Sequence, residues 1–327
     1  LVLVTLVAVA IYTVFVLASD VRALRALLSH FQWSSFAIAL LLAMGNYLLR
    51  FAKWQYYLRS LQIGCTSAPE AFTPIPWVES LMIFLAGFSM SLTPGKAGEV
   101  FRSALLLSAR GTPVARSAPI VIADRVTDLL ALVLLVGIGS LQFAGYAWIA
   151  AIATLMVAVV IAFVFVRPFA ELLFRVLDRI PVLSKLGPKI REAYAALQTV
   201  MSPKAVVMMT ALSVLAWGLE CLGLWAILQG LQHPAPVALA FFVYATSTIA
   251  GALAMLPGGL GGTEVVMRTM LVALGGLPVA PAAAATLLVR LATLWFAIVV
   301  GFAALAVVRL NFDRASKAPS AVRPAGS

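Results

Sequence analysis

Two stretches of this sequence set a proline–glycine break, an acid and an arginine at similar spacings within apolar surroundings. The first, Ser91 to Arg102, reads SLTPGKAGEVFR; the second, Met255 to Arg268, reads MLPGGLGGTEVVMR. Glu99 lies five positions after Pro94 and Glu264 seven after Pro257, with Arg102 and Arg268 about one turn further on. Arg125 follows Glu99 by 26 residues and Arg290 follows Glu264 by 26, which makes an internal repeat of offset 165. A Pro-Gly turn releases the backbone from the helical ladder and leaves amides and carbonyls that need a cavity, water or a ligand. A helix beginning near Glu99 or Glu264 presents its positive end there. Together with Lys96, Arg102, Arg125, Arg268 and Arg290, that end can hold an anion.

The same residues admit a second reading, in which Glu99 pairs with Arg125 or Arg102, Glu264 pairs with Arg290 or Arg268, and both pairs lock helices. A charge in hydrocarbon costs about +2.5 to +3.5 kcal/mol even on the mild insertion scale, so it persists where it is paired, hydrated or used. Bases exceed acids around the two breaks. Asp124 and Asp128 reduce the excess in the first half, where Arg125 between them makes an internally neutralised or proton-sensitive site. Val289 and Thr293 stand at the corresponding places of the second half, so the halves are not chemically equivalent. Glu220 is a lone acid in an apolar run, suited either to a helix–helix hydrogen bond or to proton coupling.

Other chemistries lack their residues. His30, His233, Cys65 and Cys221 form no cluster with metal-ligand spacing, and no Ser-His-Asp set, phosphate loop or dinucleotide fingerprint is present. No metal, cofactor or direct use of ATP is expected. Both cysteines read as small core or lipid-facing residues.

These residues must be positioned by membrane helices. Of 327 residues, 63% are hydrophobic and 11% charged, and the mean hydropathy of +1.06 excludes a water-soluble enzyme as the first reading. Apolar runs near Val2–Leu17, Phe36–Leu49, Ile120–Gly139, Ala147–Val166, Val206–Leu228 and Ala282–Val308 are long enough to cross a bilayer as helices. Asn46 and Tyr47 read as interface anchors, and Trp54, Tyr56 and Tyr57 as an aromatic belt.

In so apolar a chain the net charge of +11 maps topology and does not point to nucleic acid. Sixteen of the 23 bases fall in four intervals: Arg50, Lys53 and Arg59; Arg110 and Arg116; Arg167 to Lys204; and Arg309 to Arg323. Placing all four in the cytoplasm puts both termini inside and turns Val78–Leu107 and Val237–Leu274 back on themselves from opposite sides. The fold expected is all-α and polytopic, about six full crossings plus two re-entrant helical hairpins in an inverted-topology repeat, the arrangement found in alternating-access carriers. It forms one domain over 1–310, with repeat cores at about 78–140 and 237–308, an amphipathic cytoplasmic connector at about 167–204, and a disordered tail over 311–327. No Ala-x-Ala site follows the first run, so a cleaved leader is not expected.

Three segments carry a family resemblance: PGKAGEVFR (Pro94 to Arg102), ADRVTD (Ala123 to Asp128) and PGGLGGTE (Pro257 to Glu264). They resemble the lysylphosphatidylglycerol synthase transmembrane-region family, also described as flippase-like, over roughly residues 5 to 310. The resemblance implies an inner-membrane domain of bacteria that moves or binds lipids. It carries over Pro94, Gly95, Gly98, Glu99, Arg102, Asp124, Arg125, Asp128, Pro257, Gly258, Gly259, Gly261 and Glu264 as site residues. The full synthases attach a soluble aminoacyltransferase domain, for which the sequence after Leu310 leaves no room, so lysine transfer from tRNA is not expected. The leading expectation is a lipid translocase with an anionic phosphate headgroup as its partner. The alternatives are a lipid-phosphate or glycosyl-transfer enzyme using Glu99 or Glu264 as base, and an accessory protein that recruits a separate lipid-modifying enzyme through Arg167 to Lys204.

Overall fold

The computed structural model describes residues 21–65, 73–93, 100–140, scattered positions between 142 and 159, 187–254 and 256–317. The expected spans Val2–Leu17 and, for the most part, Ala147–Val166 lie outside the described residues, as does the connector up to residue 186 and the tail from 318.

Eleven α-helices account for nearly all of the described chain. They are α1 (Val21–His30), α2 (Trp33–Ser60), α3 (Trp77–Ala86), α4 (Val100–Arg110), α5 (Val114–Ser140), α6 (Gly187–Val200), α7 (Pro203–Gly230), α8 (Val237–Leu253), α9 (Gly262–Gly275), α10 (Val279–Arg290) and α11 (Phe296–Lys317). A short antiparallel ribbon, Gly64–Cys65 with Thr73–Pro74, links α2 to α3. Trp33–Ser60, Pro203–Gly230 and Val279–Leu310 are each long and apolar enough to cross a membrane, and Trp77–Met90 and Val237–Leu253 are shorter apolar helices. The protein is an all-α, multi-pass membrane protein.

Helix α2 overturns one part of the sequence reading. Arg50 and Lys53 do not stand in a turn, because α2 runs unbroken for 28 residues, about 42 Å of rise. Nothing between Arg50 and Ser60 breaks a helix, and the two bases sit within the span rather than past its end. Asn46, Tyr47, Trp54 and Tyr57 are likewise buried rather than placed as anchors or a belt. At its start α2 is tied to the end of α7 by the Gln32 N–H, which donates to the Gly230 carbonyl at 3.1 Å. Ala39 on α2 faces Gly223 on α7, and small residues of this kind let membrane helices approach closely. Ser202 caps α7, accepting from the Ala205 N–H, with Pro203 in the first turn.

Two stretches repeat one order of elements. In the first, α3 tightens into a 3-10 turn (Gly87–Met90), then α4 and α5 follow; in the second, α8 leads to a 3-10 turn (Pro257–Gly259), then α9 and the α10–α11 rod. The second helix of each ends at a left-handed glycine, Gly111 (φ 65°) and Gly276 (φ 64°), where a side chain would be strained. Two residues beyond each, Pro113 and Pro278 start the third helix.

The two stretches also exchange partners. The α3 segment packs on α11, and α8 packs on α5. At both crossings a glycine admits the other helix: a Cβ on Gly139 would strike the backbone of Phe242, and one on Gly301 the backbone of Phe88 and Ser89. Gly139→Leu is therefore expected to destabilise the fold by about 1–3 kcal/mol or more through overpacking. Gly137→Leu, two residues away on α5 in open space, should leave the thermal midpoint in detergent unchanged; equal midpoints for the two variants would refute the close crossing.

The later part of the expected connector includes α6, which packs on α5 and buries Leu197 and Val200, with Met201 just beyond it, while Ala195, Gln198 and Thr199 stay exposed. Cys221 is a core residue.

Candidate functional site

Helical spacing builds the first part of the site. Arg50 and Lys53, three apart on α2, face Asp124 and Asp128, four apart on α5, so each pair lies on one helix face. Arg50 Nη2 is 3.0 Å from both Asp124 Oδ2 and Asp128 Oδ2. Lys53 Nζ is 2.6 Å from Asp124 Oδ1 and 2.9 Å from Asp128 Oδ1. Lys53 Nζ also donates to Ser213 Oγ on α7 at 2.6 Å, and that hydroxyl donates to Asp128 Oδ1 at 2.9 Å. Lys53 is 0% exposed and Asp128 3%. Two cations and two anions thus join α2, α5 and α7 in a group of zero formal charge. The acids that the sequence placed with Arg125 are held in ion pairs by Arg50 and Lys53, whose role the reading of them as topology signals had hidden.

The second part is built on glycines. Between α8 and α9, Gly258 (φ 61°), Gly259 (φ 69°) and Gly261 (φ 85°) all lie in the left-handed region, which lets the chain reverse direction within five residues. Glu264, in the first turn of α9, accepts the Gly261 N–H through Oε2 at 2.7 Å and Arg290 Nε through Oε1 at 2.6 Å. Arg290 Nη2 donates to the Gly258 carbonyl at 2.7 Å. Glu264 and Arg290 therefore clamp the turn, and the 26-residue spacing marks a direct contact. Gly251 on α8 makes room for the Thr263 side chain beside the turn.

In the first half Gly87 has the corresponding place against Arg102. Arg102 Nε donates to the Phe84 carbonyl at 3.1 Å, and its guanidinium lies 4.3 Å from the Phe84 ring centroid and 5.2 Å from that of Phe88. Pro94, Gly95, Lys96, Gly98 and Glu99 lie outside the described residues, and so does any pairing of Glu99 with Arg125.

Between these two parts lies a cavity of about 330 Å³, bounded by α2, α5, α7, α8, the glycine turn and the α10–α11 junction. Arg50, Arg125, Arg290 and Glu220 line it, with Asn46, Tyr47, Trp217 and Tyr244. Gly258 and Gly259 reach its wall, whereas Glu264, Asp124, Asp128, Arg102, Arg268, Pro257 and Gly261 are not among its lining residues. Tyr244 donates its hydroxyl proton to Glu220 Oε2 at 2.5 Å, and Asn46 Nδ2 donates to the Ala216 carbonyl at 2.8 Å. At Leu291–Trp295 the helix widens to a π-turn, and the Tyr47 hydroxyl donates to the Thr293 carbonyl within it at 3.1 Å.

The site thus holds residues that sequence reasoning had assigned elsewhere or passed over: Arg50, Lys53, Asn46, Tyr47, Ser213, Trp217 and Tyr244. A signal for Arg50 and Lys53 was available, since a cation pair at i, i+3 with no breaker after it matches an acid pair at i, i+4. Among the described residues no group of three or more His, Cys, Asp or Glu is arranged to hold a metal ion. The arrangement can offer a small polar group guanidinium donors, a carboxylate and aromatic rings within one cavity.

Residues 3–301 match the family described as "Lysylphosphatidylglycerol synthase TM region". No curated protein matches the chain.

Proposed function

Since the chain belongs to the lysylphosphatidylglycerol synthase TM region family, we propose that it is a lipid translocase whose central cavity takes the phosphate-bearing headgroup of a membrane lipid while the acyl or isoprenoid chains stay in the bilayer. The observation that supports this best is a cavity of about 330 Å³ among apolar helices that three arginines line, with the glycine turn in its wall. Arg125 and Arg290 suit the phosphate oxygens, as guanidinium forks match phosphate geometry. Glu264 acts behind them, holding Arg290 and the turn in place. The sequence repeat assigns Lys96 and Glu99 the corresponding headgroup-binding role in the first half, and Arg268 the same role in the second.

The repeat is inverted, so that the two broken hairpins enter the membrane from opposite sides and rocking of one repeat against the other exposes the cavity alternately. The protein resides in the bacterial cytoplasmic membrane with both termini inside.

Arg125→Gln removes a lining guanidinium and is expected to lower the rate of phospholipid translocation in proteoliposomes at least about tenfold, the loss of one charge-assisted contact of about 1.5–3 kcal/mol. Some loss of thermal midpoint is expected beside it, since Arg125 also faces the buried Asp128 carboxylate. An undiminished rate in a well-folded Arg125→Gln variant would overturn the site. One observation favours a second reading, in which the protein serves structurally as an accessory to a lipid-modifying enzyme: the ion pairs Arg50–Asp124 and Glu264–Arg290 lock neighbouring helices. Translocation absent from the purified protein and restored by a bound partner would decide for it.

A further inference from the structure

Among the described residues, the cavity and its surroundings carry charges of both signs. Arg50, Arg125 and Arg290 line it together with Glu220; Arg50 and Lys53 pair with Asp124 and Asp128, and Arg290 with Glu264. Arg102 lies outside the cavity, stacked on Phe84.

A charged occupant of a membrane interior needs a counter-charge for each of its own, since an uncompensated charge there costs several kcal/mol, and this wall supplies both signs. The wall is also divided in kind: Arg125 and Arg290 bring cationic donors, while Glu220, oriented by the Tyr244 hydroxyl at 2.5 Å, brings an anionic acceptor, with the rings of Trp217 and Tyr47 lining the same space. A carboxylate at the wall disfavours a second phosphate and favours a group that donates hydrogen bonds and carries positive charge. Resting on the translocase reading above, we propose that the cavity selects a zwitterionic headgroup, a phosphodiester joined to a primary ammonium, with Glu220 as the specificity-determining residue for the ammonium. The headgroup enters as a neutral whole, its phosphate toward the arginines and its ammonium toward Glu220.

The test measures equilibrium binding of short-chain lipids to the full-length protein in detergent, separately from translocation. The probes are phosphatidylethanolamine, its N-acetylated form, which keeps the phosphate and loses the ammonium, and phosphatidylglycerol. The unsubstituted protein should bind phosphatidylethanolamine at least about tenfold more tightly than either of the others, a preference of about 1.4 kcal/mol. Glu220→Gln should abolish the preference by weakening phosphatidylethanolamine alone, whereas Tyr244→Phe, which keeps the carboxylate, should retain it. Equal or tighter binding of phosphatidylglycerol by the unsubstituted protein would overturn the proposal, and that comparison stands even if Glu220→Gln fails to fold. A preference left intact in Glu220→Gln would overturn it too. Selective binding without translocation would refute the translocase reading and leave this one standing; translocation of all three lipids at equal rates and affinities would do the reverse.

Discussion

Lys53→Met is expected to destabilise the protein by about 3–5 kcal/mol, the cost of stripping one partner from a buried ion group. Lys53 is wholly enclosed and contacts Asp124 Oδ1, Asp128 Oδ1 and Ser213 Oγ within 2.9 Å. Its removal leaves two carboxylates facing a single guanidinium from α2. Adding Asp128→Asn should recover a substantial part of the loss, because the group then returns to one acid and one base. A double-mutant cycle on denaturant midpoints reads this as a favourable coupling. A Lys53→Met protein within about 0.5 kcal/mol of the original, the range of an unremarkable surface substitution, would show that the four charges do not hold α2 to α5.

Glu264→Ala is expected to be nearly as damaging, at about 3–5 kcal/mol, and to abolish translocation. It takes the carboxylate from a buried Arg290 and the acceptor from the Gly261 N–H in one step. Three left-handed glycines alone give a turn that can adopt many shapes; the carboxylate and guanidinium select one. Arg290→Lys should fail as well, since a single ammonium does not reproduce the fork that reaches both Glu264 Oε1 and the Gly258 carbonyl. Hydrogen exchange over residues 256–264 provides the check. Faster exchange confined to that turn is expected in both variants, and an unchanged pattern would remove the clamp.

Much of the second repeat was legible in the chain. The second reading of the charges offered Arg290 or Arg268 as the partner of Glu264, and Arg290 is the one in contact at 2.6 Å, because an acid and a base held in hydrocarbon have strong reason to meet. Three of the four glycines of PGGLGG fell where the backbone needs positive φ. Another clear signal went unread: Gly111-Thr-Pro-Val-Ala115 and Gly276-Leu-Pro-Val-Ala280 stand at the offset of 165 and share four of five residues. They are the cap-and-restart that joins the second and third helices of each repeat.

Arg50 and Lys53 were misplaced for a physical reason. Hydropathy scores a cation as an end of a span unless its counter-charge is visible, and Asp124 and Asp128 are more than 70 residues away. Tyr47 and Trp54 were misplaced similarly, since an aromatic ring near a base has the composition of an interface anchor whether it faces headgroups or a cavity. Tyr244 and Trp217 carry no pattern of their own; only the packing of α8 and α7 brings them to the cavity wall.

The reciprocal seating of α3 on α11 and of α8 on α5 governs how such a chain can be made. A ribosome delivers α3 some two hundred residues before α11, so the early helix must wait, its eventual neighbour not yet synthesised, in the translocon or against lipid. Neither half matures by itself. Gly301 closes the last joint, and assembly of the whole becomes a single late event instead of two successive ones.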